Sequence, residues 1–119
     1  MATRAYEHFR GRRPPAFAHP SERELAELLD ANAIPWVYEP HTFTLERDGD
    51  GSVLEAFTPD FFLPDADLYV ELTTQDPKLG RRKRRKIRKV QERHGIVVTL
   101  HERKDFERLR QIYRRRVGR

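Results

Sequence analysis

Two sheet-forming runs joined by a tight turn, FTPDFFL and ADLYVELTT, constrain this chain more than any other part of it. Both are rich in aromatic and β-branched residues. Leu63-Pro64-Asp65 between them has the chemistry of a sharp reversal, so they predict adjacent antiparallel strands. Each run carries one carboxylate where a strand favours a neutral residue: Asp60 in the first and Glu71 in the second. Side chains alternate across a strand, so Leu68, Val70 and Leu72 share one face while Tyr69, Glu71 and Thr73 share the other. Asp60 goes with Thr58 and Phe62. Pairing across the turn can bring Asp60 and Glu71 together on one face, in a register the sequence alone does not fix. Two such carboxylates repel, and an unpaired buried charge is costly. A hard divalent cation held by oxygens is one compensation, and a Lys or Arg from a neighbouring helix is the other.

The flanking segments complete a mixed α/β pattern. SERELAELLDANAI predicts a helix with Ser21 as N-cap, Glu24 closing a capping box, and Leu25, Leu28 and Leu29 as its buried stripe. WVYEPHTFTLE alternates as a strand, RDGDGS turns, and SVLEAFTPDFFL returns antiparallel, so with ADLYVELTT the chain forms a three-strand meander. A long helix follows from about Lys78 to His94 with Gly95 as its C-cap, then a short buried strand IVVTL. A last helix from about Lys104 to Arg116 sets Phe106, Leu109, Ile112 and Tyr113 on one stripe. The expected order is α-β-β-β-α-β-α, a mixed sheet flanked by helices. The first twenty residues, with RGRRPP, read as a flexible basic arm ahead of a single domain over 21–119.

Charge is distributed unevenly over this pattern. Residues 1–20 hold four basic side chains against one acidic, residues 21–76 two against fourteen, and residues 77–119 eighteen against four. A basic final third is the electrostatic footprint of a polyanion partner. The run RRKRRKIRK lacks the interspersed Glu of a merely solvated helix face. An acidic middle third would repel phosphate unless cations sit there. Cys is absent, which excludes disulfides and thiolate metal sites. No apolar run reaches the roughly 18 residues of a membrane span, and the N-terminal segment lacks the apolar region of a secretory signal. A cytoplasmic protein with no membrane partner is the expectation.

On the long helix, Ile87, Val90 and His94 fall within roughly 80° of Leu79 on the helical wheel, and so do Lys83 and Lys86. Arg81, Arg84, Arg85 and Arg88 lie on the far side, and Arg82 and Lys89 flank the stripe. Lysine thus occupies the face that must lie on the sheet, where it either snorkels to the edge or points its ammonium at the acidic strands. Glu24, at the margin of its own helix's stripe, can reach toward the same place. Glu39 is a weaker candidate. DGDG lacks the later ligands of a calcium loop and reads as a turn.

Tyr38-Glu39-Pro40, Thr58-Pro59-Asp60-Phe61, Glu71-Leu72-Thr73-Thr74 and the Lys83 to Lys86 helix, in this order over about residues 21–109, resemble the PD-(D/E)XK nuclease superfamily. The likeness is to its small single-domain members, similar to Holliday-junction-resolvase-like and transposon-end-cleaving nucleases. The resemblance implies a restriction-endonuclease-like αβββαβ core with an extra C-terminal helix. It also implies a metal-dependent endonuclease acting on DNA. By that likeness Asp60, Glu71 and the Leu72 carbonyl hold Mg²⁺ or Mn²⁺, with Glu24 joining through water. Arg81, Arg82, Arg85 and Lys89 on the long helix and Arg114, Arg115 and Arg116 in the tail provide the nucleic-acid platform. A homodimer is possible, since enzymes that cut both strands commonly pair. The family's lysine two residues after the Glu is Thr73 here. Either that charge has moved to Lys83 or Lys86, or the chain is a binding module that keeps the fold without the chemistry.

Overall fold

A computed structural model describes residues 6–118. The elements run α1 (Pro20–Ala31), β1 (Val37–Tyr38), β2 (Phe43–Arg47), β3 (Val53–Phe57), β4 (Phe61–Leu63), a 3-10 turn (Pro64–Ala66), β5 (Leu68–Thr73), α2 (Pro77–His94), β6 (Val98–Glu102) and α3 (Phe106–Val117). β1, β4, β5 and β6 form one sheet in that spatial order, and β2 and β3 form a separate hairpin. β4 pairs antiparallel with both β1 and β5, while β6 lies parallel to β5 after the α2 crossover. The sheet is therefore mixed and flanked by helices. Among the described residues no helix is long and apolar enough to cross a membrane.

The expected meander keeps its connectivity but not its continuity. Each of its first two strands is cut at a proline, Pro40 and Pro59, because proline has no N–H to give to a ladder. The pieces before and after these breaks pair as β1 with β4 and as β2 with β3. Asp60 accordingly lies in the break one residue before β4, not inside a strand. The two breaks are tied together where the Glu39 N–H donates to the Asp60 carbonyl at 2.9 Å. Glu39 itself adopts φ 44°, a left-handed conformation uncommon outside glycine.

β5 is buried along its length except at Thr73, as befits a strand covered on both faces. Leu68, Val70 and Leu72 meet Leu25, Ala26 and Leu29 of α1 and Leu109 of α3 on one side. On the other, Tyr69 packs with Ile87 and Val90 of α2, Val98 of β6, and Leu45 and Phe57 of the hairpin. Burying these side chains contributes roughly 1.5–3 kcal/mol each. The segment expected as a loose arm is docked from Tyr6 onward: Tyr6, Phe9 and Phe17 surround the fully buried Trp36. Asp30 holds it there, accepting from the Glu7 and His8 N–H groups at 2.7 and 2.8 Å and from the Trp36 indole at 3.1 Å. Residues 1–5 of that arm lie outside the described residues.

Two helix details depart from expectation. α1 begins at Pro20, with His19 at the N-cap and no side-chain capping bond, because proline at the first helical position fixes φ without forfeiting a useful donor. Glu24 therefore closes no capping box. Leu28 is 39% exposed and leaves the stripe to Leu25, Ala26 and Leu29. α2 is as anticipated, with the Asp76 side chain accepting from the Lys78 N–H at 3.0 Å and Gly95 closing its end at φ 67°.

Candidate active site

The β4–β5 register pairs Phe61 with Val70 and Phe62 with Tyr69. One further step sets Asp60 opposite Glu71, and the two residues are stitched together reciprocally. The Asp60 N–H donates to Glu71 Oε1 at 3.1 Å, and the Leu72 N–H donates to Asp60 Oδ2 at 2.9 Å. Each carboxylate thus spends one oxygen on a main-chain donor, which fixes its orientation. Asp60 Oδ1, Glu71 Oε2 and the Leu72 carbonyl remain for other partners.

Lys83 is the partner present. From the sheet-facing side of α2 its ammonium lies 3.1 Å from Glu71 Oε2 and donates to the Leu72 carbonyl. One turn on, Lys86 is half-buried and makes no hydrogen bond or ion pair among the described residues. Of the two lysines placed on the stripe by the wheel, Lys83 is the one that meets the acids.

A third acid stands close by, and it is not Glu24. The carboxylate of Glu24 pairs with Arg103, whose Nε donates to Oε1 at 2.7 Å, on an exposed flank. Glu22 is only 4% exposed. Its Oε1 accepts from the Tyr38 hydroxyl at 2.7 Å and from the Ala18 N–H at 2.8 Å. The signal for Glu22 was available in its spacing, since Glu22, Leu25, Ala26 and Leu29 fall on one helical stripe.

The electrostatics follow from this crowding. Burial, then the Glu71 charge, pushes the Asp60 carboxyl up to about 8, with Glu22 acting in the same sense and the Leu72 N–H and Lys83 opposing. Burial also raises Glu71, and Lys83 opposes it. Burial first, and then the Glu22 carboxylate, raise the Tyr38 hydroxyl. Three buried acids and one ammonium leave an excess of negative charge unless one of the acids keeps its proton, as Asp60 does up to about pH 8. Among the described residues no three His, Asp or Glu side chains converge on one point. The donor set is instead two carboxylates and a carbonyl, all hard oxygens, with Glu22 acting at longer range. That set suits Mg²⁺ or Mn²⁺, which keep several waters and need few protein ligands. The Lys83 ammonium bridges two members of that set, Glu71 Oε2 and the Leu72 carbonyl.

Thr73 follows in β5, and its hydroxyl is buried with no hydrogen-bond partner among the described residues. Of the expected nucleic-acid platform, Arg81, Arg82, Arg114 and Arg115 are exposed and carry no partner among the described residues. Arg85 instead pairs with Glu55 at 2.9 Å, and Lys89 with Glu46 and Glu55 at 3.2 and 3.0 Å. Arg116 donates to the Ala66 and Asp67 carbonyls at 2.7 and 3.0 Å, bracing α3 against the β4–β5 turn. These three are committed to partners inside the fold. Comparison with protein-family models, with curated proteins and with solved structures finds no match to this chain.

Proposed function

We propose that this protein is a metal-dependent endonuclease of PD-(D/E)XK type that hydrolyses DNA phosphodiester bonds. The observation that carries the reading is the reciprocal lock between Asp60 and the Glu71–Leu72 strand, closed by Lys83. Two buried carboxylates held this closely destabilise the fold unless a cation offsets them, so their pairing argues for use. The helix, kinked three-strand meander, crossover helix and parallel strand agree with a restriction-endonuclease-like αβββαβ core.

In this reading Asp60, Glu71 and the Leu72 carbonyl hold Mg²⁺ or Mn²⁺, and Glu22 replaces Glu24 as the acid contributed by the first helix. When bound there, the ion would lower the pKa of a water and neutralise charge on the phosphate. Asp60 and Glu71 are held ready by main-chain donors, so little reorganisation accompanies the reaction. Lys83 supplies the positive charge that Thr73 cannot, and stabilises the charge that builds on the phosphoryl oxygens. Water adds to phosphorus, the bond to the 3′ oxygen breaks, and that oxygen takes up a proton.

The test is incubation of supercoiled plasmid and a branched DNA with the wild type and Asp60→Asn, in Mg²⁺, in Mn²⁺ and in EDTA. Cleavage that disappears with EDTA and with Asp60→Asn is expected. Absence of cleavage by the wild type with either metal overturns the reading and leaves a binding module on this fold.

A further inference from the structure

The basic residues of α2 divide into two flanks that differ in what faces them. On the hairpin flank Arg85 and Lys89 are neutralised by Glu46 and Glu55. On the opposite flank α2 borders a groove against β6 and α3, lined by Arg84, Arg88 and Arg108 with Ile87, Thr99 and Leu100. β6 is the last strand of its sheet, so this groove runs along an open edge. Arg84 and Arg88 have no carboxylate or hydrogen-bond partner among the described residues. Arg108 donates to the Leu100 carbonyl at 2.7 Å and lies 3.6 Å from Asp105, while its side chain stays 54% exposed.

We propose that this groove is the track for the phosphodiester backbone of duplex DNA. The proposal rests on the nuclease reading for its choice of polyanion. Three arginines line a concave surface on which the Arg108–Asp105 pair is their one ion pair among the described residues, and the Leu100 carbonyl orients one of the three. Arginine forks match phosphate oxygens bidentately. Arg84 and Arg88 are four residues apart, about 6 Å along the helix, against an axial rise of about 3.4 Å per phosphate of one strand. They can thus reach phosphates of a single strand that lie near one another. The Arg84 guanidinium folds back over Gly80, 3.5 Å from where a Cβ would stand. That direction is toward the N-terminal end of α2, and the groove's Thr99 and Leu100 pair in register with Val70 and Glu71 of β5. The track therefore leads toward the candidate active site. Arg85 and Lys89 hold the hairpin against α2 and do not lie on it.

The experiment is equilibrium binding of a fluorescein-labelled duplex DNA across a salt series in EDTA, so that affinity is read without cleavage. The proteins are the wild type, R84Q/R88Q/R108Q, the single R88Q and R85Q/K89Q, with thermal midpoints measured alongside. Each lost phosphate contact lowers the slope of log K against log salt by about 0.9. The triple variant is expected to lose two to three such increments, at roughly 0.9 each, and to bind about tenfold or more weakly near 0.1 M salt. R88Q should lose about one increment even if the triple variant is unstable. R85Q/K89Q should keep the wild-type slope while its thermal midpoint falls. An unchanged slope in R88Q and the triple variant, or an equal loss in R85Q/K89Q, overturns the track. If the wild type binds but does not cleave, the track stands and the nuclease reading falls. If it cleaves with the slope unmoved in R88Q, only the track falls.

Discussion

Replacing Asp60 with asparagine should make the metal-free protein more stable at alkaline pH, although it removes a residue of the proposed active site. The introduced amide keeps an oxygen for the Leu72 N–H, which lies 2.9 Å from Asp60 Oδ2 in the wild type. It removes one charge from a pair that is 9% and 5% exposed. In the folded wild type the Asp60 carboxyl holds its proton up to about pH 8, whereas in the unfolded chain it ionises near ~3.9. The folded state binds the extra proton across that window, so stability is present below it and is lost as pH rises through it. The slope is up to about 1.4 kcal/mol per pH unit. Between about pH 6 and about pH 8 the wild type should lose on the order of 2–3 kcal/mol that the asparagine variant keeps. For a chain of 119 residues, that is a divergence of midpoints of roughly 10 °C. The assay is thermal unfolding by circular dichroism in EDTA at steps of pH. Comparing the two proteins at each pH cancels the titrating groups outside the Asp60–Glu71 pair. Parallel pH profiles would refute the reasoning, because they would mean that Lys83 alone balances the pair and Asp60 is ionised throughout.

His101 gives the opposite limb. It is 2% exposed, with Nε2 2.8 Å from Thr99 Oγ1 and Nδ1 without a hydrogen-bond partner among the described residues. Burial, helped by Arg108, holds it at about 4, so the unfolded chain takes up a proton that the folded state refuses. Stability is therefore lost as pH falls from about 6.5 toward 4, by about 3 kcal/mol in all, and His101→Gln should flatten that limb in urea titrations. A variant as acid-sensitive as the wild type contradicts this. Lys83→Met leaves Glu71 without its ammonium and should lower stability at neutral pH by about 1–3 kcal/mol, the partial exposure of the lysine discounting the usual cost of breaking a buried pair. It should also reduce cleavage on the order of 10²-fold or more, whereas Lys86→Met should shift stability by no more than about 0.5 kcal/mol and cleavage by no more than about threefold. Equal effects of the two substitutions contradict the placement of Lys83.

How legible was this in the sequence? That Asp60 could approach Glu71 followed from strand alternation and a short turn, both local rules, but the register that brings them together did not. Lys83 on the sheet-facing stripe followed from helical period, and the structure separates it from Lys86. The breaks at Pro40 and Pro59 were visible as prolines, but whether proline ends a strand or bends it depends on which neighbour needs the missing N–H. Glu22 was hidden by a more familiar pattern. Ser21 and Glu24 have capping-box spacing, yet Pro20 starts the helix earlier, so Glu22 becomes its third residue and reaches back to Ala18. The division of the arginines was not legible at all. Arg84 and Arg85 are sequence neighbours that point about 100° apart. Their surroundings, an acidic hairpin on one flank and a strand edge on the other, come from segments distant in the chain. Tyr6, Phe9 and Phe17 likewise lay in a segment that reads as a flexible arm until Trp36 supplies the surface they share.

The central claim is that Asp60, Glu71 and the Leu72 carbonyl form a divalent-cation site that Lys83 fills in the metal-free state. The most direct test is titration of Mn²⁺ into the DNA-free protein by calorimetry, with the wild type, Asp60→Asn and Glu22→Gln compared at about pH 8. Binding at one strong site in the wild type, lost in Asp60→Asn and weakened in Glu22→Gln, with protons released as the Asp60 carboxyl ionises, is the predicted result. Mn²⁺ binding of equal strength in the wild type and Asp60→Asn, or none in either, would contradict it.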